Sequence, residues 1–511
     1  MASWLDEILL DRPEYVKQPE AILTDLLWRS PGSSLSANNN NALTSLRSLK
    51  LQGHPLERLV FQSRMSRPVP LETSKLAEGA DQTGLFANST GENPFPPILR
   101  SLAAPRARGS KSGACVPVEP CLVVLQTLHG LANKKAPPNM ASVVEAAAWH
   151  GGAPDKGQAA HAFLQPFSNS SQNQAGLTGL LSLASPLLAD AAWQGYPAKS
   201  ESLPTTPWPQ TPLPVPVSLA SQAAPSPLSF HETPYKWFWK YWSRLCDIDI
   251  NSGWFSVLPA RRWTDWALCL LRTGLALAYL WEAQLLCRIE AAAREHASGP
   301  RGIEWMNLSD FLSGNYLLAR LENPALRASN RNYIEALRRV LQDGNAAREV
   351  LLKYVPTHGV KGTTSHQMNV LQKIDTWLSN EGQPGGGKPN LEERFSYESI
   401  PKNTYEFVRY ALLQRPSDDD TWDQADFYYL ARTDKGRRYF WFEPGPEWLV
   451  VVVSLCTGHP GGTCTLRELQ ADLRLLGVRV ERTVLVQMLE SYGLSTDSPD
   501  ADDALVIYSG F

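Results

Sequence analysis

At 511 residues the chain is long enough for several domains, since a globular domain usually takes roughly 100–200 residues. Hydrophobic residues make up 43% and charged residues 19%, so the chain has material for sizeable cores but fewer charges than most proteins. The formal net charge of −3 excludes a globally basic nucleic-acid binder of the histone type, although it is compatible with a local basic face.

The N-terminal residues and the cysteines predict the cellular compartment. The first twelve residues carry acids where a secretory signal would carry positive charge, and no apolar segment of signal-peptide type follows them. Seven cysteines, an odd number, are spread over the chain without any C-x-x-C pair. We therefore expect reduced thiols in a cytoplasmic protein, without a disulfide framework.

Composition shifts and turn signals divide the chain into six segments. They predict N-terminal helices in 1–30, a loosely helical low-charge region rich in Ala, Ser and Pro in 31–202, a proline-rich linker in 203–227, a helical domain in 228–395, a helix with a β-hairpin in 396–445, and a compact C-terminal domain in 446–511. The linker holds eight prolines, which fix φ and remove backbone donors, so an extended connector is expected there. The predicted fold class is therefore multidomain and mainly α, with small β-hairpins.

Apolar residues at helical spacing locate helices in several parts of the chain. They predict helices at Met140–Trp149, Tyr235–Cys246, Trp263–His296, Asn307–Leu321, Asn330–Leu341, Ala346–Tyr354 and Asn403–Gln414. Two runs rich in aromatic residues, within Asp426–Arg432 and Arg437–Phe442, flank a turn that contains Gly436 and predict a β-hairpin.

One apolar stretch, Trp266–Leu286, is long enough to raise the question of a membrane span. Arg272 and Thr273 lie near its centre, on a helix flank shared with Gln284 and Arg288. A central arginine is costly in lipid. The pattern favours a helix docked in a protein core with one wet edge, and membrane association stays the alternative.

The last 66 residues, 446–511, carry the clearest succession of elements. Pro446 opens an apolar helix, Thr465 and Glu468 form a capping-box pattern, and Gly477 ends the helix that follows. A third helix is predicted at Glu481–Tyr492, and two strand-like runs enclose an Asp-rich turn. Three helices and a β-wing in this order resemble the winged-helix superfamily. The resemblance covers these residues alone and implies DNA binding through the third helix.

Electrostatics oppose that implied DNA role. Residues 446–511 hold four arginines and nine acidic residues, whereas DNA affinity depends largely on cations that neutralise phosphates. The third helix presents Arg482 as its one cation, and the wing carries Asp500, Asp502 and Asp503. We therefore expect these four residues to serve protein contact.

A second segment interleaves aromatic residues and cations, as a platform for single-stranded nucleic acid would. Its candidate binding residues are Lys236, Trp239, Lys240, Arg244, Arg261 and Arg262. The same aromatic residues fall at helical spacing, and the alternative is that they form a core while the lysines extend to water.

The sequence matches known catalytic and metal-binding motifs only incompletely. Residues 382–388 match the first seven positions of a phosphate-binding Walker A loop, but Pro389 stands where Ser or Thr must reach magnesium. Cys115, Cys121, His129 and His150 do not have zinc-site spacing. We therefore predict no cofactor, no metal and no catalytic residue.

These patterns favour a non-catalytic adaptor or scaffold subunit of a multiprotein assembly that handles nucleic acid. The expected partners are other protein subunits, with nucleic acid reached through the complex, and prokaryotic antiviral defence is one setting for such an assembly. The alternatives are an enzyme with an unrecognised site in the helical domain 228–395 and a membrane-associated protein.

Overall fold

The structure is a computed structural model. It describes residues 9–13, 22, 23, 25, 26, 50, 51, 54, 55, 140–154, 157–160, 162, 163, 226–247, 253–298, 316–321, 331–354, 402–415, 426–434, 436, 438–495 and 505–511. The chain divides into two compact units. One comprises Met1–Lys17, Ala146–Pro154 and Ala224–Phe511, and the other comprises Gln18–Glu145 and Asp155–Ala223.

Helices dominate the described residues, of which 63% are helical, so the mainly α prediction is confirmed. In chain order the elements are β1 (Lys50–Leu51), β2 (His54–Pro55), α1 (Ala141–His150), α2 (Pro234–Leu245), α3 (Trp254–Val257), α4 (Ala260–Ser298), β3 (Ala319–Leu321), β4 (Asn332–Tyr333), α5 (Ile334–Tyr354), α6 (Lys402–Leu412), β5 (Ala431–Thr433), β6 (Tyr439–Phe442), α7 (Pro446–Thr457), β7 (Thr463–Thr465), α8 (Leu466–Leu475), β8 (Val478–Val480), α9 (Arg482–Ser491) and β9 (Val506–Tyr508). A short 3₁₀ turn, Pro227–Phe230, precedes α2.

Helix α4 is the longest element of the described chain, and α2, α5 and α6 pack against it. Its middle third is apolar and buried, which confirms the prediction of a core helix. The predicted wet edge is wrong at its centre, because Arg272 and Thr273 are almost completely buried. Among the described helices, none is long and apolar enough to cross a membrane.

Arg272 is buried because every part of its guanidinium finds a partner. Its two terminal nitrogens pair with the two carboxylate oxygens of Asp426 at 2.8 and 2.9 Å. Its Nε donates to the carbonyl of Ala411 at 3.0 Å. Asp426 also accepts the backbone N–H of Arg415 at 2.9 Å. A bidentate, fully hydrogen-bonded pair is the arrangement in which a buried charge is tolerated.

Helix α5 corrects the prediction of two helices at Asn330–Leu341 and Ala346–Tyr354, since it runs unbroken through Gly344. A Cβ atom at that position would lie 2.4 Å from both Cα and Cβ of Ala283 on α4. Glycine therefore allows a close approach of α4 and α5 at this position and does not end the helix. Its low helix propensity, about 1 kcal/mol below alanine, is offset by this close packing.

Replacing Gly344 by alanine should lower the free energy of unfolding by about 1–3 kcal/mol, the usual cost of overpacking a filled core. Asp343→Ala, one residue earlier on an exposed position of the same helix, is the matched control and should change it little. Urea unfolding of both variants measures the difference. A Gly344→Ala variant as stable as the parent would contradict the close approach.

The predicted helix Asn307–Leu321 is wrong over its described part, because Ala319–Leu321 is a strand. Strand β3 pairs in parallel with β8, with Ala319 opposite Val478 and Leu321 opposite Val480. Gly477, which precedes β8, has φ +71°, and a Cβ there would come within 2.7 Å of Leu318. The left-handed backbone and the close approach both require glycine at this turn.

The predicted hairpin is confirmed with shorter strands. Strands β5 and β6 pair antiparallel, Ala431 opposite Phe442, and Asp434 accepts the N–H groups of Arg438 and Tyr439 across the turn. Strand β4, which was predicted as the start of a helix, adds to the far side of β6. The sheet order is therefore β4-β6-β5.

Residues 446–511, called here the C-terminal segment, begin with α7, α8 and α9 at positions close to those predicted. The capping box is confirmed. The backbone N–H of Glu468 donates to the Thr465 hydroxyl, and the backbone N–H of Thr465 donates to the Glu468 carboxylate. Sequence patterns did not show β7, which pairs antiparallel with β9. Ser495 bridges the other edge of β9 at Ile507.

In the second unit, described side chains cap backbone groups. A carboxylate oxygen of Asp25 accepts the N–H groups of Met140 and Ala141 at 2.6 and 2.7 Å, at the start of α1. Glu145 accepts three N–H groups between residues 157 and 160. Helix α1 confirms the prediction at Met140–Trp149.

Several predictions lie outside the described residues. They concern most of the proline-rich linker, the glycine-rich loop 382–388, Cys115, Cys121, His129 and the wing acids Asp500, Asp502 and Asp503. The domain boundaries also stay predictions.

Candidate interaction surface

The aromatic residues of the segment 235–242 line the interior of the first unit. Thr233 caps α2 and Pro234 opens it, and the helix then turns its rings towards α4 and the C-terminal segment. Trp239, the predicted stacking residue, is 7% exposed, while Trp237 and Tyr241 stack on each other inside the core. No ring of this segment offers a free face to a base, and the burial supports the core interpretation.

Two cations of α2, Lys240 and, in the last turn, Arg244, are also engaged. The Nζ of Lys240 lies 2.5 and 2.7 Å from the two carboxylate oxygens of the buried Asp472 on α8. The hydroxyl of Tyr241 donates to the same carboxylate at 2.9 Å. Arg244 donates to the carbonyls of Leu455 and Cys456 at the end of α7. Lys240 and Arg244 therefore hold α2 against the C-terminal segment, and this use competes with phosphate binding.

The remaining predicted cations lie nearer the surface. Arg261 is 83% exposed, with Asp265 one helical turn away at 3.9 Å. Arg262 approaches Glu447 at 3.5 Å and covers the ring of Phe511 at 5.4 Å. Lys236 is half-buried. The structure does not bring Lys236, Arg261 and Arg262 together with an exposed aromatic ring of α2, and nucleic-acid binding by these cations stays a prediction.

The C-terminal segment shares its core with the preceding helices. The indole N–H of Trp448 donates to the Thr273 hydroxyl at 2.9 Å, and that of Trp254 donates to the Gly458 carbonyl at 3.1 Å. The terminal residue, Phe511, contacts Trp266 edge to face. Any experiment on the surface of this segment therefore needs the full chain.

Helix α9 exposes few charges and several neutral side chains. Glu481, Thr483, Gln487 and Glu490 are exposed, and Arg482 is half-buried. Tyr492 is 42% exposed just after the helix, because the buried apolar stripe of the helix ends at Leu489. Arg482 is thus the single cation of this face, beside two carboxylates.

Strand β9 adds apolar side chains that sequence reasoning did not single out. Val506 and Tyr508 are 43% and 42% exposed, while Ile507 between them is completely buried. Val506, Ile507 and Tyr508 are all apolar, so no alternation in the sequence marks the two that face outward. Val506 and Tyr508 project on the same side of β9, and we group Tyr492 with them by its exposure as the C-terminal apolar patch. Exposed apolar side chains that lie together mark contact surfaces.

Titratable groups in the described part of the chain do not gather into a metal site: no set of three or more His, Cys, Asp or Glu is placed to hold an ion there. His150 contacts the Ser226 hydroxyl at 2.9 Å, and its ring lies tilted against that of Tyr235, 5.2 Å between centroids, deep in the core. Burial raises the pKa of the Cys246 and Cys269 thiols, to about 12 for Cys269, which opposes their use as nucleophiles.

Comparison of the chain with models of known protein families gives no match, and comparison with curated proteins and with solved structures gives none either.

Proposed function

We propose that the protein is a non-catalytic adaptor subunit of a multiprotein, nucleic-acid-handling assembly, in which the C-terminal segment is a winged-helix-like module that contacts another protein. Prokaryotic antiviral defence is one setting for it. The observation that carries the proposal is the C-terminal apolar patch, which stands on a segment with five more acidic residues than basic ones. Such a surface repels phosphates and suits a protein partner.

The order of elements supports the winged-helix part of the proposal. Helix α7, strand β7 and helices α8 and α9 follow one another, and β9 lies between β7 and Ser495. A strand between the first two helices that pairs with the last strand of the wing is the arrangement of that superfamily. The parallel pairing of β8 with β3 is an addition to it.

The proposal predicts that changing Tyr492 and Tyr508 to glutamate in the full chain will reduce co-purification of a stoichiometric protein partner from the native host at least tenfold. Both side chains are exposed, so the fold should tolerate the change, whereas charge in an apolar contact is costly. Quantitative mass spectrometry of the purified complex measures the loss. Val257→Glu, which alters an equally exposed residue outside the segment, is the matched control.

A second arm tests the acids. Changing Asp500, Asp502 and Asp503 to lysine should weaken the same association, and more strongly at low ionic strength, if the wing meets a basic partner. Recovery of the same partner in equal amount with the patch variant and with the Val257→Glu control would refute the proposal.

A further inference from the structure

The sheet β4-β6-β5 presents one face on which aromatic residues and arginines alternate across the strands. Tyr333 lies directly opposite Tyr439, and Arg432 lies directly opposite Trp441, so these four side chains share a face. Arg331 joins them, because its guanidinium lies over the Tyr439 ring. We call this set the aromatic sheet face. It comprises Arg331, Tyr333, Arg432, Tyr439 and Trp441, and the exposed Arg438 directly precedes β6 beside it.

Tyr333, Tyr439 and Trp441 on this face reach solvent, whereas on the opposite face Phe440 is buried and Phe442 is half-buried. Tyr333 is 61% exposed, the highest value among the large apolar and aromatic side chains that the structure describes as exposed. Tyr439 and Trp441 are partly exposed, and Phe440 between them is 5% exposed. Burial therefore explains the position of Phe440, but it gives no reason for the exposed ring of Tyr333 beside Tyr439.

The rings are held in place by their neighbours. The centroids of Tyr333 and Tyr439 are 4.5 Å apart, and Arg331 lies 4.3 Å from the centroid of Tyr439. The indole N–H of Trp441 donates to Glu443 at 2.7 Å. Aromatic side chains fixed in this way lose little conformational entropy when a ligand stacks on them.

The cations of this face are available at one end. Glu443 approaches Arg432 at 3.2 Å and offsets its charge. Arg331 and Arg438 are exposed, and neither forms an ion pair with a carboxylate in the described part of the chain. Three described arginines, Arg331, Arg432 and Arg438, stand against the carboxylates of Glu443 and Asp434, so this part of the sheet carries a small positive charge although the whole chain has a net charge of −3.

We propose that the aromatic sheet face binds single-stranded nucleic acid. Exposed rings can stack on unpaired bases, and arginines beside them can meet the phosphates that follow each base. A duplex hides its base faces, so the rings favour a single strand. A protein partner would also suit tyrosine and arginine, but it would not require exposed cations without carboxylate partners. The inference goes beyond the adaptor role, because it gives the chain its own nucleic-acid contact on a different surface.

Fluorescence anisotropy of the full chain with labelled oligothymidylate and oligouridylate, each about 20 nucleotides long to exceed one binding site, tests the proposal. We expect binding to both at low salt, and the difference between them reports a preference for DNA or RNA. Tyr333→Ala should weaken binding about tenfold, because one stacked base is lost. Tyr333→Phe keeps the ring and should bind like the parent.

The contribution of the arginines is measured separately, by the salt dependence of binding. Changing Arg331 and Arg438 to alanine should weaken binding and lower the slope of log affinity against log salt by about 1.4, since each phosphate contact contributes about 0.7 on a single strand. Tyr492→Ala, which removes an exposed tyrosine of the C-terminal apolar patch, is the matched control and should leave both quantities unchanged.

Photo-crosslinking of a 4-thiouridine oligonucleotide to the unmodified chain gives a readout that needs no variant, and the crosslinked peptides should contain Tyr333 or Trp441. The proposal is overturned if neither oligonucleotide binds, if Tyr333→Ala binds like the parent, or if crosslinks map elsewhere. Absence of binding together with loss of a protein partner in the Tyr333→Ala variant would assign the face to protein contact instead. The partner assay with the Tyr492 and Tyr508 variant is scored separately, so failure of one proposal is distinguishable from failure of the other.

Discussion

Replacing Arg272 by methionine is expected to lower the free energy of unfolding by about 3–5 kcal/mol, because the change leaves a buried carboxylate without its counter-ion. Asp426 is 5% exposed and would keep only backbone N–H donors and the more distant Arg415. The carbonyl of Ala411 would lose its donor as well. Urea or guanidinium unfolding, with circular dichroism as the probe, measures the loss.

Two further variants separate the ion pair from the loss of packing. Arg261→Met removes an arginine of the same helix that is 83% exposed, and should cost no more than about 1 kcal/mol. The double variant Arg272→Met with Asp426→Leu removes both charges and should be more stable than Arg272→Met alone. Equal stability of the Arg272→Met variant and the parent would contradict the buried pair.

The same pair makes stability sensitive to acid. Burial tends to raise the pKa of Asp426, but the charge and hydrogen bonds of Arg272 outweigh it and hold this pKa at about 2. A carboxyl whose pKa is lower in the folded chain stabilises the fold above its unfolded value of about 3.9. That contribution is lost as the pH falls from about 4 towards 2, and the double variant should lack this part of the acid transition.

Local patterns carried most of the helix predictions, because capping residues and apolar spacing act within one or two turns. Thr465 with Glu468 and the apolar spacing of α2 needed no knowledge of the rest of the chain. Strand β3 could not be predicted in this way, since its partner β8 lies far away in the sequence. Arg272 was predicted to lie at a solvent-exposed edge for the same reason, because no residue near it in the sequence indicates that Asp426 is its partner.

The candidate surfaces show the same limit. An aromatic-basic run is compatible with a core and with a nucleic-acid platform, and only the position of Asp472 beside Lys240 decides how that cation is used. The aromatic sheet face could not be predicted from the sequence, because no single segment contains its residues. Its residues come from two segments, and the segment of Tyr333 was assigned to a helix because the helical pattern of α5 begins at the next residue.

Glu282 is a buried carboxyl that ties the N-terminal residues 9–13 to the core. It accepts the N–H of Leu10 at 2.6 Å and the hydroxyl of Tyr235. The hydroxyl of Tyr279 donates to the carbonyl of Asp11, and Arg348 donates to that of Leu10. Burial raises the pKa of Glu282 to about 7, although the hydrogen bonds from Tyr235 and Leu10 act in the lowering direction. Below about pH 7 the folded chain therefore holds Glu282 as the protonated carboxyl.

The raised pKa of Glu282 determines how the stability of the fold changes with pH. Between about 4.5 and about 7 the folded chain holds a proton on Glu282 that the unfolded chain has released, so stability falls as the pH rises through this window. The full effect is about 3 kcal/mol, at about 1.4 kcal/mol for each unit of pKa difference. Above pH 8 the contribution no longer changes.

Glu282→Gln should remove this slope. The amide oxygen can still accept the N–H of Leu10, but the side chain no longer titrates, so the contribution of Glu282 to the pH dependence of stability should be absent between pH 5 and pH 8. Denaturant midpoints at intervals across that range measure the slope, and Glu490→Gln, at an exposed position on α9, should keep the slope of the parent. Equal slopes in the Glu282→Gln variant and the parent would show that Glu282 is already ionised in the folded chain at pH 5. The buried hydrogen bonds of residues 9–13 would then have to stabilise a charge, and acid rather than base would loosen them.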